Sequence, residues 1–160
     1  MAMEALVTIN GYVGTAVAFR PTQKNVTRAS FRLGCTPRVK QGANWVDGNT
    51  IWLTIVCWRT LAEHALESVN KGDPVVVSGK LRLQSWPDAD GVVQERLVIE
   101  ATSVGHDLTR GTSAFRRVQR VDTQDDLDRE TGEMITELEA EDLDDPSAVD
   151  DAPAPAGVGG

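Results

Sequence analysis

The sequence predicts an all-β fold, a five-stranded barrel with one helix between strands 3 and 4, plus a disordered acidic C-terminal tail. Three observations predict it. Stretches with apolar residues at every second position recur five times before residue 110, the period of strands that bury one face. One stretch, just after residue 59, changes to helical spacing. Beyond residue 110 the alternation decays and carboxylates dominate. The chain therefore divides into a folded domain, 1–110, and a tail, 111–160.

The first strand covers 5–13, with Ala5, Val7, Ile9, Gly11 and Val13 on one side and Leu6, Thr8, Asn10 and Tyr12 on the other. Gly11 and Gly14 mark a bend or bulge. Phe19-Arg20-Pro21-Thr22 leads into a turn. The second strand, 26–36, sets Ala29, Phe31, Leu33 and Cys35 inward and Arg28, Ser30 and Arg32 outward, and Pro37 ends it. Residues 38–49, with Gly42, Asn44 and Asp47-Gly48, form a loop or wide hairpin carrying Lys40 and Trp45.

The third strand is Ile51-Trp52-Leu53-Thr54-Ile55-Val56-Cys57-Trp58. Its even spacing puts Trp52 and Trp58 on one face, opposite Leu53, Ile55 and Cys57. Thr60-Leu61-Ala62-Glu63 fits a capping box that starts the helix. Leu61, Ala65, Leu66 and Val69 form its apolar stripe, His64 lies on its surface, and Gly72 after Lys71 fits a left-handed stop. The fourth strand, 74–86, faces Val75, Val77, Gly79, Leu81 and Leu83 inward and Ser78, Lys80, Arg82, Gln84 and Trp86 outward. A turn at 87–91 and a fifth strand, 92–104, complete the domain. Strand, strand, strand, helix, strand, strand is the order of the OB barrel; an SH3-like barrel lacks a full helix at that point.

The net charge of −8 is unevenly spread. Residues 1–120 hold 15 Lys and Arg against 10 Asp and Glu, a balance of +5; residues 121–160 carry −13. A basic domain with an acidic tail suits a protein that handles polyanions, although such a tail also serves solubility alone. The tail has too little apolar content to offset its ordering entropy, with a transient helix at most near 133–141. Cys35 and Cys57, both inward, read as buried thiols; a disulfide requires their strands to be neighbours. No signal-peptide pattern or membrane-length apolar run appears, which predicts a cytoplasmic, soluble protein. No phosphate loop, nucleophile elbow or metal-ligand spacing appears either, so neither an enzyme nor a cofactor is predicted.

Outward indoles combined with cations describe a surface that stacks bases and attracts phosphates. The stacking candidates are Trp45, Trp52, Trp58 and Trp86, and the phosphate candidates are Arg28, Arg32, Lys40, Arg59, Lys80 and Arg82. Oligomer contact is the other use of an exposed apolar patch.

Over residues 5–110 the chain resembles the bacterial single-stranded DNA-binding proteins. The carriers are Phe31-Arg32-Leu33, Cys35-Thr36-Pro37-Arg38, Ile51-Trp52, Trp58-Arg59-Thr60-Leu61-Ala62-Glu63, the stretch from Asn70-Lys71-Gly72-Asp73-Pro74 through Gly79-Lys80-Leu81, and Trp86. The resemblance implies a homotetramer of OB folds that wraps single-stranded DNA in replication, recombination and repair. By position, Trp52, Trp58 and Trp86 match the family's stacking aromatics, Trp45 lies near another, and Lys71 and Arg82 match basic positions along the strand path. Ala16-Val17 stands where members often carry Asp-Pro. The chain ends Ala156-Gly157-Val158-Gly159-Gly160, without the proline–phenylalanine tip that docks replication and repair proteins, a difference that a specialised paralogue or a mobile-element copy would explain. The competing reading is an OB-fold protein–protein adaptor whose aromatic face docks another protein.

Overall fold

The computed structural model describes residues 3–22 and 24–119. Of the expected disordered tail, 111–160, the first stretch is placed against the domain, with the Ser113 hydroxyl 2.8 Å from His106 Nδ1 and Arg116 Nη2 3.1 Å from Glu67; the rest, including its helix near 133–141, lies outside the described residues. The elements are β1 (Leu6–Val13), β2 (Ala18–Pro21), β3 (Thr27–Cys35), β4 (Arg38–Gln41), β5 (Asn44–Asp47), β6 (Ile51–Trp58), α1 (Arg59–Ser68), β7 (Pro74–Pro87) and β8 (Val93–His106). Sheet order is β1-β7-β8-β6-β3-β2, and a short β1–β3 pairing at Tyr12↔Gly34 and Val13↔Leu33 closes the ring. The five predicted strands are β1, β3, β6, β7 and β8, with the helix between the third and fourth. The fold is the OB-like barrel expected.

Inward-facing residues of all five strands build the core: Val13, Phe31, Leu33, Leu53, Ile55, Cys57, Val75, Val77 and Ile99, with Ala62, Ala65 and Val69 of the α1 region sealing one end. Two glycines let backbones approach inside the ring. A Cβ on Gly79 would lie 2.1 Å from the Glu100 carbonyl oxygen, at the point where the β7–β8 register shifts between Ser78 and Gly79. A Cβ on Gly11 would lie 2.4 Å from the Gly34 carbonyl oxygen, so Gly11 serves close approach where a bend was expected.

Several local expectations are corrected. The capping box does not form: α1 begins at Arg59, its N-cap Trp58 makes no side-chain cap bond, and Arg59 itself takes φ +54°. The Glu63 carboxylate instead accepts from the Thr27 hydroxyl at 3.5 Å. The helix also ends earlier, with Val69 extended as its C-cap; Gly72, at φ +94°, belongs to the turn that follows. That turn is held by Asp73 N–H donating to the Asn70 carbonyl and by Gly72 N–H donating to the Val13 carbonyl. Residues 18–21 form an added strand (β2) at the end of the six-stranded sheet, against β3, where the sequence suggested only a lead into a turn. Leu83 follows the inward parity but is exposed, because β7 and β8 run on past the barrel as a two-stranded arm.

Cys35 and Cys57 do sit on neighbouring strands, yet both thiols are free. Cys57 pairs with Ala29 and Cys35 with Ile51, six positions apart along the ladder, roughly 20 Å at the strand rise. That is far beyond disulfide reach.

Candidate nucleic-acid interface

The register of four strands assembles one outer face. Against Arg28, Ser30, Arg32 and Gly34 of β3 stand Trp58, Val56, Thr54 and Trp52 of β6. Thr54 pairs with Val98 of β8, and Val98 with Arg82 of β7, so one row reads Arg32, Thr54, Val98, Arg82. The neighbouring row brings Ser30, Val56, Glu100 and Lys80 together. Further along the arm, Gln84 faces Arg96 and Trp86 faces Gln94. Of the sequence-predicted residues, Arg28, Arg32, Trp52, Trp58, Lys80, Arg82 and Trp86 share this face.

Their environments differ. Trp52 is 38% exposed, and the rim of its ring rests on two bare backbone positions. A Cβ on Gly14 would lie 2.4 Å from Trp52 Cζ3, and one on Gly34 would lie 3.1 Å away. Gly14 thus makes a seat for the indole, held in place by its N–H donating to the Arg32 carbonyl at 2.8 Å. Trp86 is half-buried, with the Arg96 guanidinium 5.5 Å from its ring centre and Arg96 Nη2 donating to Gln84 Oε1 at 3.0 Å.

Trp58 keeps the predicted parity but only 8% of it is exposed. It packs with Val26, Val56 and Val98 in a second apolar cluster on the outside of the sheet. The turn after β2 delivers Val26: Val26 N–H donates to the Thr22 hydroxyl at 3.2 Å, and that hydroxyl donates back to the Val26 carbonyl at 2.9 Å. Arg28, itself buried, lies 5.8 Å over the Trp58 ring. The solvent-facing ring and the solvent-facing cation expected at this end are therefore packed against one another. Arg32 is also engaged, its Nη1 donating to the Thr54 hydroxyl at 2.8 Å.

On β7 the cations are paired. Lys80 Nζ lies 3.0 Å and Arg82 Nη2 3.3 Å from one oxygen of Glu4, and Arg82 Nε lies 3.6 Å from Glu100. The Lys80 hydrogen bond leads the causes that hold the Glu4 carboxyl below its ordinary range.

Trp45 and Lys40 form a separate unit. They are cross-strand partners on the β4–β5 hairpin, turned at Gly42 with φ +63°, and Trp45 is 59% exposed. Arg38 braces this unit by donating to the Trp45 carbonyl at 3.2 Å and pairing with Asp47 at 3.8 Å. Arg59 and Lys71 are not on the four-strand face: one opens α1 and the other is exposed in the turn before β7.

Sequence reasoning missed Arg96, Glu100 and Glu4. The first two were findable, since the turn at 88–92 sets the hairpin register and alternation then places them beside the outward residues of β7. Glu4 continues the outward parity of Leu6 and Thr8.

No helix among the described residues is long and apolar enough to cross a membrane. Residues 5–107 match the single-strand binding protein family. The chain is 42% identical over 113 residues to single-stranded DNA-binding protein 2 of Tropheryma whipplei, spanning 69% of this chain and 74% of the relative. It is 39% identical over 123 residues to single-stranded DNA-binding protein 2 of Streptomyces avermitilis, spanning 71% and 72%. Among solved structures it is similar to the small single-stranded DNA-binding protein from Streptomyces coelicolor, with a TM-score of 0.62 and 35% identity over 69% of this chain and 100% of that one. Barrel order, an aromatic and basic outer face, and these matches agree: the chain belongs to the single-strand binding protein family, whose members are non-enzymatic DNA-binding proteins.

Proposed function

We propose that this protein coats and protects single-stranded DNA during replication, recombination and repair, in the cytoplasm and with little regard to sequence. The observation that carries the reading is the placement of Trp52 and Trp86 on one sheet face with Arg32, Arg82, Lys80 and Arg96. Every base has a π-face, so stacking tolerates any sequence, and a duplex does not present those faces. Cations draw in the phosphates and release counterions. Trp45 and Lys40 extend the path along the exposed hairpin, and Arg59 and Lys71 meet the strand only where it leaves the face. Arg28 and Trp58 support the face from beneath in the unbound protein.

Assembly into a homotetramer belongs to the same reading. Leu6 and Tyr12 are exposed on β1, and the ladder to β3 reaches only Tyr12 and Val13, which leaves most of one β1 edge for another strand. Joining four barrels multiplies contacts through effective concentration. The acidic tail, at −13, competes with DNA for the basic face, so truncation after Arg120 raises affinity at low salt.

The test is a poly(dT) titration followed by tryptophan fluorescence at two salt concentrations. Quenching that weakens with salt, with log affinity falling by about 0.7 per neutralised phosphate, supports the reading. Unchanged fluorescence at low salt turns the face over to a protein partner, as in an adaptor.

A further inference from the structure

We propose that Glu4 is a built-in phosphate mimic, a carboxylate that occupies the Lys80–Arg82 subsite in the unbound protein and must be displaced when the backbone of single-stranded DNA enters it. The inference rests on the single-strand binding reading and adds a competitor that is part of the chain itself. Glu4 lies just outside the stretch matched by the family, which begins at residue 5.

The geometry supports displacement rather than permanent pairing. One oxygen, Oε1, takes both Lys80 Nζ at 3.0 Å and Arg82 Nη2 at 3.3 Å, the contact that one non-bridging phosphate oxygen would make. The placement is set by backbone. Leu81 N–H donates to the Ala5 carbonyl at 2.8 Å, one step beyond the Leu6↔Lys80 pair, which carries the antiparallel register to Glu4 opposite Arg82. All three side chains remain substantially exposed, 32% to 43%, so water and an incoming phosphate reach them. Exposed pairs of this kind are weak. Glu100, by contrast, is fixed inside β8, is less exposed at 19%, and lies 3.6 Å from Arg82 Nε. It orients the guanidinium while Glu4 fills the position a phosphate would take.

The consequence is a muted salt response. While Glu4 stays near the two cations, their effective charge toward DNA is reduced by about one, so fewer DNA counterions are released on binding. Neutralising Glu4 restores that charge.

The experiment titrates poly(dT) into full-length parent, Glu4→Gln and Glu63→Gln, the last removing a helix carboxylate outside the sheet face and controlling for net charge. Tryptophan quenching is followed across a salt series. Glu4→Gln should bind about three- to tenfold more tightly at low salt, the range expected for releasing two weak exposed pairs. Its slope of log affinity against log salt should steepen by about 0.7. Both gains should vanish when Lys80→Gln and Arg82→Gln are added. The proposal is overturned if Glu4→Gln overlays the parent, if Glu63→Gln gains as much, or if the gain survives loss of the two cations. Those outcomes leave parental DNA binding intact. A parent that shows no quenching at any salt overturns the single-strand reading, and this proposal with it.

Discussion

At the β3–β6 end of the outer face, Trp58 lies under Arg28 and among Val26, Val56 and Val98; along the β7–β8 arm, Trp86 lies beside Arg96 on strands that have left the barrel. Both are tryptophan–arginine pairs on the same side of the same sheet. The difference is what stands over them. At the first end the turn after β2 folds back and removes the indole from water, so the ring acts as a second, outer core. At the arm no element crosses among the described residues, and Trp86 stays partly open. Strand parity sets which way an indole points; the neighbouring loop sets whether a base can reach it.

This contrast sets the order of expected effects. Trp58→Ala should be the most damaging to the fold, costing about 3–5 kcal/mol as other buried aromatic truncations do, and denaturant unfolding measures it. Trp86→Ala should change stability far less while weakening poly(dT) binding. Trp45→Ala, on an exposed hairpin, should stay within about 0.5 kcal/mol of the parent in stability. If Trp58→Ala proves as mild as Trp45→Ala, the two ends of the face are not distinct.

Gly14 sharpens the comparison at Trp52, which is 38% exposed. Gly14→Ala places a methyl 2.4 Å from the ring rim, and a rim atom of a part-exposed indole yields more cheaply than backbone would. We expect little change in unfolding midpoint but a clear loss of affinity. Its ceiling is the value of one stacked base, about 1–3 kcal/mol, a range established on OB-fold single-strand binders themselves. A Gly14→Ala curve that overlays the parent would show that the Trp52 seat has no part in binding.

The barrel was legible because its signals are local. Alternation in residues 5–13, 26–36, 51–58, 74–86 and 92–104 matched β1, β3, β6, β7 and β8 to within a few residues, and the OB-like order followed. What failed depended on tertiary contact. Thr60 and Glu63 have the spacing of a capping box, but the chain turns straight out of β6 through Arg59 at φ +54°, which starts the helix before Thr60 can cap it. β2 has only four residues and exists because β3 offers it an edge. The candidate site was half legible. Parity found Trp52, Trp86, Lys80 and Arg82, while the packing of Val26 on Trp58 and the pairing of Lys80 with Glu4 join residues 32 and 76 positions apart.

The last effect appears only at alkaline pH and concerns the inner side of β3 and β6. Cys57 sits behind Trp58 in the closed core, and burial pushes its thiol from 9.0 up to about 12; Cys35, near the other end of the ladder, is raised by burial but only part-buried. Below pH 9 the Cys57 thiol is neutral in both folded and unfolded chains and leaves stability unchanged. Between pH 9 and about 12 the unfolded chain releases a proton that the folded chain keeps, so stability falls as pH rises, by up to about tenfold in the unfolding constant per pH unit. The difference between parent and Cys57→Ala in alkaline denaturant titrations isolates that slope from the titration of tyrosine and lysine. A thiol-alkylating reagent at neutral pH should label Cys35 and spare Cys57 in the native protein. Equal labelling of the two would mean that the closed end beneath Trp58 opens as readily as the rest of the face, and the distinction between the two ends would go with it.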